Sequence, residues 1–257
     1  MSVHEVYAIK YARHERRAAE NFLHGDPHDG PMPLDYFVWL VRGPSGDIAV
    51  DTGFSAAVAK RRRREHLRCP GDGLRALGAR PETVRDVIIT HLHYDHVGNF
   101  ELFPAATFHL QDLEMRFATG RGMAESRHRG AFDVEDVVGL VRRAYAGRVR
   151  FQDGDAELFP GISVHLIGGH TMGLQVVRVR TRRGWLVLAS DASHFYANIE
   201  QARPYPIVWS VPDMLAGYEK VRALADSPAH IIPGHDPLVL ERYPACDGLQ
   251  GMAARLD

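Results

Sequence analysis

The segment DVIITHLHYDH, residues 86–96, constrains this chain more than any other stretch. DVIIT has the β-branched character of a buried strand, and it runs directly into three histidines and an aspartate. His91 and His93 stand two apart, the spacing at which strand side chains share a face. Asp95 and His96 are adjacent and would point oppositely on a continuous strand. A turn after His93 lets both converge on a neighbouring point. The segment therefore favours two adjacent metal positions over one. Imidazole and carboxylate suit zinc, and also iron or manganese.

Three later turns repeat the pattern. GGHTMG puts His170 in a Gly-rich turn after the strand ISVHLI. LASDAS puts Asp191 at the end of the strand WLVLAS, and IPGHD puts His235 just after HIIP. Each candidate ligand lies where a strand ends and a turn begins, a common place for sites in layered α/β proteins. Other histidines read differently. His4, His14, His24, His66 and His128 sit in polar surroundings and are expected at the surface. His109, His165 and His230 lie in or beside strands as packed residues, and His28, in GDPHDGPMP, is a pocket candidate.

The chain opens with strand signals at 3–12 and 35–42, a GPSG turn at 43–46 and the short strand DIAV. Residues 54–68 read as a helix broken by CPGDG, with LRALG a short helix after it and Pro81 suited to the start of another. TFHL is a short strand, QDLEMRFAT a helix, 119–130 a mobile loop and 134–145 a helix. The second half supplies the strands VRF, ISVHLI, LQVVRVR and WLVLAS, a helix at 211–225 and the strand HIIP. Both halves set strands before helices. That order predicts α/β architecture: a four-layer αββα sandwich of two mixed sheets flanked by helices, in one domain spanning 1–257.

Charge narrows the partners. With 31 Lys and Arg against 32 Asp and Glu, the net charge is −1 and offers no global field for nucleic acid or an anionic membrane. RRRR at 61–64 reads as a solvated helix face, since no aromatic or further basic cluster flanks it. The apolar runs are too short to span a bilayer, and the N-terminal stretch lacks the apolar centre of a signal peptide. Cys69 and Cys246 do not make a disulfide framework and suit free thiols in a reducing compartment. The expectation is a cytoplasmic protein with no nucleic-acid or membrane partner, for which a homodimer is one open arrangement.

Taken together, HLHYDH at 91–96, GGHTMG around His170, SDAS around Asp191, PGHD around His235 and DTG at 51–53 resemble the metallo-β-lactamase superfamily over roughly residues 35–240. The resemblance implies two divalent metal ions, zinc first, with iron, manganese and cobalt as the other candidates. It places His91, His93 and His170 on one ion, Asp95, His96 and His235 on the other, and Asp191 between them. Neither cysteine lies near a motif, which points away from those true β-lactamases that use a cysteine ligand. THLHYDHVGN, ASDAS and PMPLDYFVWLV are most similar to the N-acyl-homoserine lactonases.

That likeness implies a hydrolase acting on a small-molecule lactone and relevant to quorum quenching. Two ions lower the pKa of bound water towards ~7 and give a hydroxide that attacks the carbonyl, with Asp95 relaying a proton to the leaving alkoxide. In the lactonases a tyrosine three residues after the bridging aspartate contacts the substrate carbonyl. His194 occupies that position here, with Tyr196 two residues away as a substitute. Asp51 would either orient a ligand histidine or cap the turn that follows it. Trp39, Trp185 and Trp209 read as packing residues, with Trp209 also a candidate wall for an acyl pocket.

The alternatives are hydrolysis of another lactone, an ester or a thioester. Glyoxalase II-like enzymes usually carry a further C-terminal helical region, and this chain ends soon after His235. Neutral charge opposes a nuclease, and no room remains for the flavin domain of a di-iron oxidoreductase. A non-catalytic binding protein would tend to lose ligands, and all seven candidates are present.

Overall fold

Strands β1 (Glu5–His14) and β2 (Leu34–Gly43) pair antiparallel along almost their whole length. Their side chains alternate between two apolar surroundings. Val6 and Ala8 point into one core, and Tyr7, Ile9 and Tyr11 into another. Strands buried on both faces must lie inside a layered protein, and so VYAIKYA and DYFVWLV are nearly continuous apolar runs. The structure, a computed structural model, describes residues 2–44 and 46–257. Ser45 of the GPSG turn lies outside the described residues, and the pairing Gly43↔Gly46 flanks it.

The first sheet continues through β3 (Gly46–Val50), the two-residue β4 (Glu65–His66), β5 (Asp86–Ile88), β6 (Thr107–Gln111) and β7 (Val149–Gln152). Strand β4 pairs on β1, and β3, β5, β6 and β7 follow one another in parallel. The second sheet comprises β8 (Ala156–Phe159), β9 (Ile162–Leu166), β10 (Gln175–Thr181), β11 (Gly184–Ser190) and β12 (Ile231–Pro233). It is antiparallel except for the β11–β12 pair. Strand β13 (Ala253–Arg255) returns to the first sheet beside β1.

Three apolar layers hold the elements together. Between the sheets, Val6, Trp39 and Val50 meet Val177, Leu188 and Ile232. Outside the first sheet, residues of α1 (Ala56–Arg62), α2 (Pro70–Ala76), α3 (Asp112–Thr119) and α5 (Val134–Tyr145) pack against its other face, with α4 (Ser126–Arg129) between α3 and α5 in the chain. Outside the second sheet, Ile199 of α6 (Tyr196–Glu200) and Met214, Tyr218 and Val221 of α7 (Val211–Leu224) cover Val176, Val187 and Ala189. The expected four-layer αββα order is therefore present. A last short helix, α8 (Leu238–Arg242), follows β12.

Several local expectations change. The helix of residues 54–68 ends at Arg62, because Arg63 takes the left-handed conformation with φ 55° and caps it. CPGDG does not break a helix but starts one: Cys69 is the N-cap and Pro70 the first residue of α2. Gly73 there faces Ile9 so closely that any Cβ would collide with Ile9 Cγ2. The loop of residues 119–130 is folded as a 3₁₀ turn at Arg121–Ala124 followed by α4. No helix among the described residues is long and apolar enough to cross a membrane.

Candidate metal centre

The topology delivers the candidate ligands to one place. Strand β12 runs parallel to β11, while β9 and β11 are both antiparallel to β10. Strands β9, β11 and β12 therefore share a direction, and the turns carrying His170, Asp191 and His235 leave the same edge. The segment after β5 meets that edge from the other sheet. Gln175 N donates to Thr90 O at 3.0 Å, and the hydroxyls of Thr90 and Ser190 lie 2.9 Å apart. These bonds join the sheets immediately beside the candidate ligands.

Donor atoms of His91, His93, His170 and Asp191 all lie within 4.8 Å of one another, as do those of Asp95, His96, Asp191 and His235. Asp191 belongs to both groups. Its Oδ2 is 3.2 Å from His170 Nε2 and 3.8 Å from His91 Nε2. Its Oδ1 is 3.2 Å from His96 Nε2 and 3.0 Å from His235 Nε2. Gly234 permits this approach, since a Cβ there would sit 2.7 Å from Asp191 Oδ1. Every donor residue is buried. His96 Nε2 and Asp191 Oδ1 have no hydrogen-bond partner among the described residues. Polar atoms left bare in a protein interior are costly, and a divalent cation in each group would satisfy them. The nitrogen and oxygen donor set fits such ions.

The ring nitrogens facing away from the centre are held. His235 Nδ1 donates to Asp35 O at 2.9 Å, and His170 Nδ1 to Ile207 O at 2.7 Å. Each bond leaves Nε2 free of hydrogen and able to ligate. His96 Nδ1 lies 2.7 Å from Asp51 Oδ2, which also accepts from Thr90 Oγ1 at 2.9 Å. Asp51 therefore orients a candidate ligand, and Ser55 rather than Asp51 caps α1.

Electrostatics agree with the geometry. Burial holds His91 and His93 well below the usual histidine range, so both are neutral donors. Burial would lower His96 too, but the carboxylates of Asp191, Asp95 and Asp51 raise it. Against the opposing effect of burial, His235, His96 and His194 hold Asp191 well below the usual carboxylate range.

A cavity of about 330 Å³ opens over the donors, with His194 in its wall. His194 Nε2 is 2.9 Å from Asp191 Oδ2, and its ring stacks on Tyr205 at 3.5 Å. Tyr196 is not brought to this cavity. It packs with Tyr243 and Val239 in the core between the sheets, under the Arg242 guanidinium. Tyr205 holds His194 from behind, and its hydroxyl donates to Asp191 O.

Glu114, Arg62 and Arg64 join the site although nothing in the sequence places them there. Glu114, inside α3, accepts from Leu92 N at 2.9 Å, Thr171 Oγ1 at 2.6 Å and Gly173 N at 3.0 Å, tying the His91 and His170 segments together. Arg62 and Arg64 of the RRRR run turn towards the cavity wall instead of forming a solvated face. Of the remaining histidines, His109 pairs with Asp86 and His165 with Asp155, both apart from the centre. His230 bonds Ser227, and His28 is exposed. His4 is buried against Pro160 O, contrary to its expected surface position. His14, His66 and His128 are half-buried, and only His24 of that group is exposed.

The sequence profile of the metallo-beta-lactamase superfamily matches residues 32–237. An N-acyl homoserine lactonase (AttM) of Azorhizobium caulinodans is 30% identical over 232 residues, covering 83% of this chain and 85% of its own. An N-acyl homoserine lactonase of Bacillus cereus is 26% identical over 189 residues, covering 68% of this chain and 70% of its own. The crystal structure of a quorum-quenching N-acyl homoserine lactone lactonase matches with a TM-score of 0.76 at 23% identity, over 92% of this chain and 93% of that one, a likeness of fold.

Proposed function

The chain belongs to the metallo-beta-lactamase superfamily, and from that premise we propose that it is a dinuclear-metal lactonase, opening the ring of N-acyl homoserine lactones. The observation that carries the hydrolase reading is the sharing of Asp191 between two buried donor groups. The relatives' activity supports the choice of a lactone, and the cavity has the size of a small-molecule site.

His91, His93 and His170 would hold one divalent ion, and Asp95, His96 and His235 the other, with Asp191 serving both. Such ions, when bound, supply a nucleophile from water at neutral pH and polarise the carbonyl under attack. The chain's own residues do the rest. Asp51, Asp35 and Ile207 fix the ligand rings, so the site needs little reorganisation during reaction. Asp95 takes the proton released by the attacking water and returns it to the ring oxygen as the C–O bond breaks. His194 stands in the cavity wall where related lactonases use tyrosine; its one N–H, on Nε2, faces Asp191 Oδ2 at 2.9 Å and would turn from that carboxylate to serve the substrate carbonyl. One water is consumed, and the product is a hydroxy acid.

A hydrolysis panel on metal-loaded protein tests this reading. It should include N-acyl homoserine lactones, simple γ- and δ-lactones, an aryl ester and a glutathione thioester, with acid release followed by a pH indicator. Fastest turnover of the homoserine lactones is expected. Preferred cleavage of the thioester or ester would overturn the lactonase assignment.

A further inference from the structure

The cavity over the metal donors has a cationic wall that the proposed reaction does not use. Arg16, Arg62, Arg64 and Arg127 all line it, and Glu20 is the only acidic lining residue outside the metal donors. Arg62 is held by the fold, since it donates to Gly130 O and Phe132 O and lies 3.9 Å over the Tyr94 ring. Arg64 is only partly used. Its Nε bonds Tyr94 Oη at 3.0 Å and its Nη1 bonds Arg62 O at 2.8 Å, and none of its partners among the described residues is a carboxylate. Arg16 reaches Glu20 O, but its ion pair with the half-exposed Glu20 carboxylate is long, at 3.9 Å.

Guanidinium groups withdrawn from water normally find a carboxylate. Here, several face one cavity with a single loosely held counter-charge. His14 lies in the same wall, and burial, with Arg64 and Arg16 adding to it, pushes its imidazole down to about 4. Apolar groups share the lining with these cations, chiefly Leu34, Tyr36, Tyr94 and Ile207. The arginine side of such a cavity suits a second oxyanion on the substrate.

We propose that the substrate carries a carboxylate or phosphate besides the carbonyl under attack, and that Arg64 and Arg16, with Arg127 at the mouth, bind it. This rests on the lactonase reading for the reaction, but the anion site stands on the arginines alone.

The test is a matched set on metal-loaded full-length protein. N-butanoyl- and N-succinyl-homoserine lactone differ only by a methyl against a carboxylate. The N-(3-phosphonopropanoyl) analogue distinguishes a phosphate-type site from a carboxylate site. A charge-assisted arginine contact predicts a kcat/KM for a charged member roughly tenfold or more above the neutral one. That ratio should fall towards one in Arg64→Met and shrink with added salt. Arg127→Gln, at an exposed residue with no side-chain hydrogen bond among the described residues, is the second variant and should lower the ratio if Arg64→Met does not fold.

Equal or better turnover of the butanoyl compound, with the ratio unmoved by either variant, overturns the anion site and leaves the lactonase reading intact. If no lactone is opened, the lactonase reading fails. Calorimetric binding of N-succinyl-homoserine lactone that is lost in the arginine variants then still supports the anion site, and absence of binding overturns it.

Discussion

Asp191 offers one carboxylate oxygen to each donor group, so its removal should disable both. Asp191→Ala is expected to lower bound metal and to reduce kcat/KM by more than ~100-fold, beyond the usual effect of losing a residue behind a ligand. Metal analysis of the purified variant beside steady-state kinetics checks this. Asp51→Asn tests the layer behind. It keeps the shape but removes the charge that faces His96 Nδ1 at 2.7 Å. A loss of ~10–100-fold in metal affinity is expected, read by titration against a chromophoric chelator. The seven candidate ligands were legible because each announces itself twice, by residue type and by its place at a strand end. Tyr205 and Glu114 were not, because their importance lies in partners distant along the chain. His4 shows the same limit in reverse: polar sequence neighbours say nothing about a ring that folding buries against Pro160.

Strands are more legible in this sequence than helix ends. A strand buried on both faces leaves a continuous apolar run in the sequence, as in DYFVWLV, and β2 extends over it. The end of α1 depends instead on the backbone of Arg63, whose φ of 55° no residue type here would have foretold. That turn also re-aims Arg64 from solvent to the cavity. Two predictions belong to helices. Glu114→Ala in α3 would leave Leu92 N, Gly173 N and Thr171 Oγ1 without their acceptor. It should cost at least ~2 kcal/mol, measured as a lower urea midpoint. Asp136 in the first turn of α5 is pushed up from 3.8 to about 7 by burial and then by Asp133. The folded state thus holds a proton that the unfolded chain releases first, and stability falls as pH rises from about 4 to about 7. Asp136→Asn should be more stable than the parent at pH 8 and lose that advantage near pH 4, as denaturation curves at the two pH values will show.

At the scale of the molecule, the candidate centre lies where the two sheets' edges meet. His91, His93, Asp95 and His96 come from the first, and His170, Asp191 and His235 from the second. Ions bound there would tie the sheets together, so affinity for metal is also stability of the fold. A chelator should lower the melting temperature, and restored metal should raise it again. The central claim is that hydrolysis depends on both donor groups being filled. The most direct measurement titrates metal-depleted protein with zinc and follows ring opening of N-hexanoyl-homoserine lactone by acid release. Activity should be absent without metal and rise to a plateau at two ions per chain. Full activity in the chelated protein, or no ring opening at any metal content, would contradict the account.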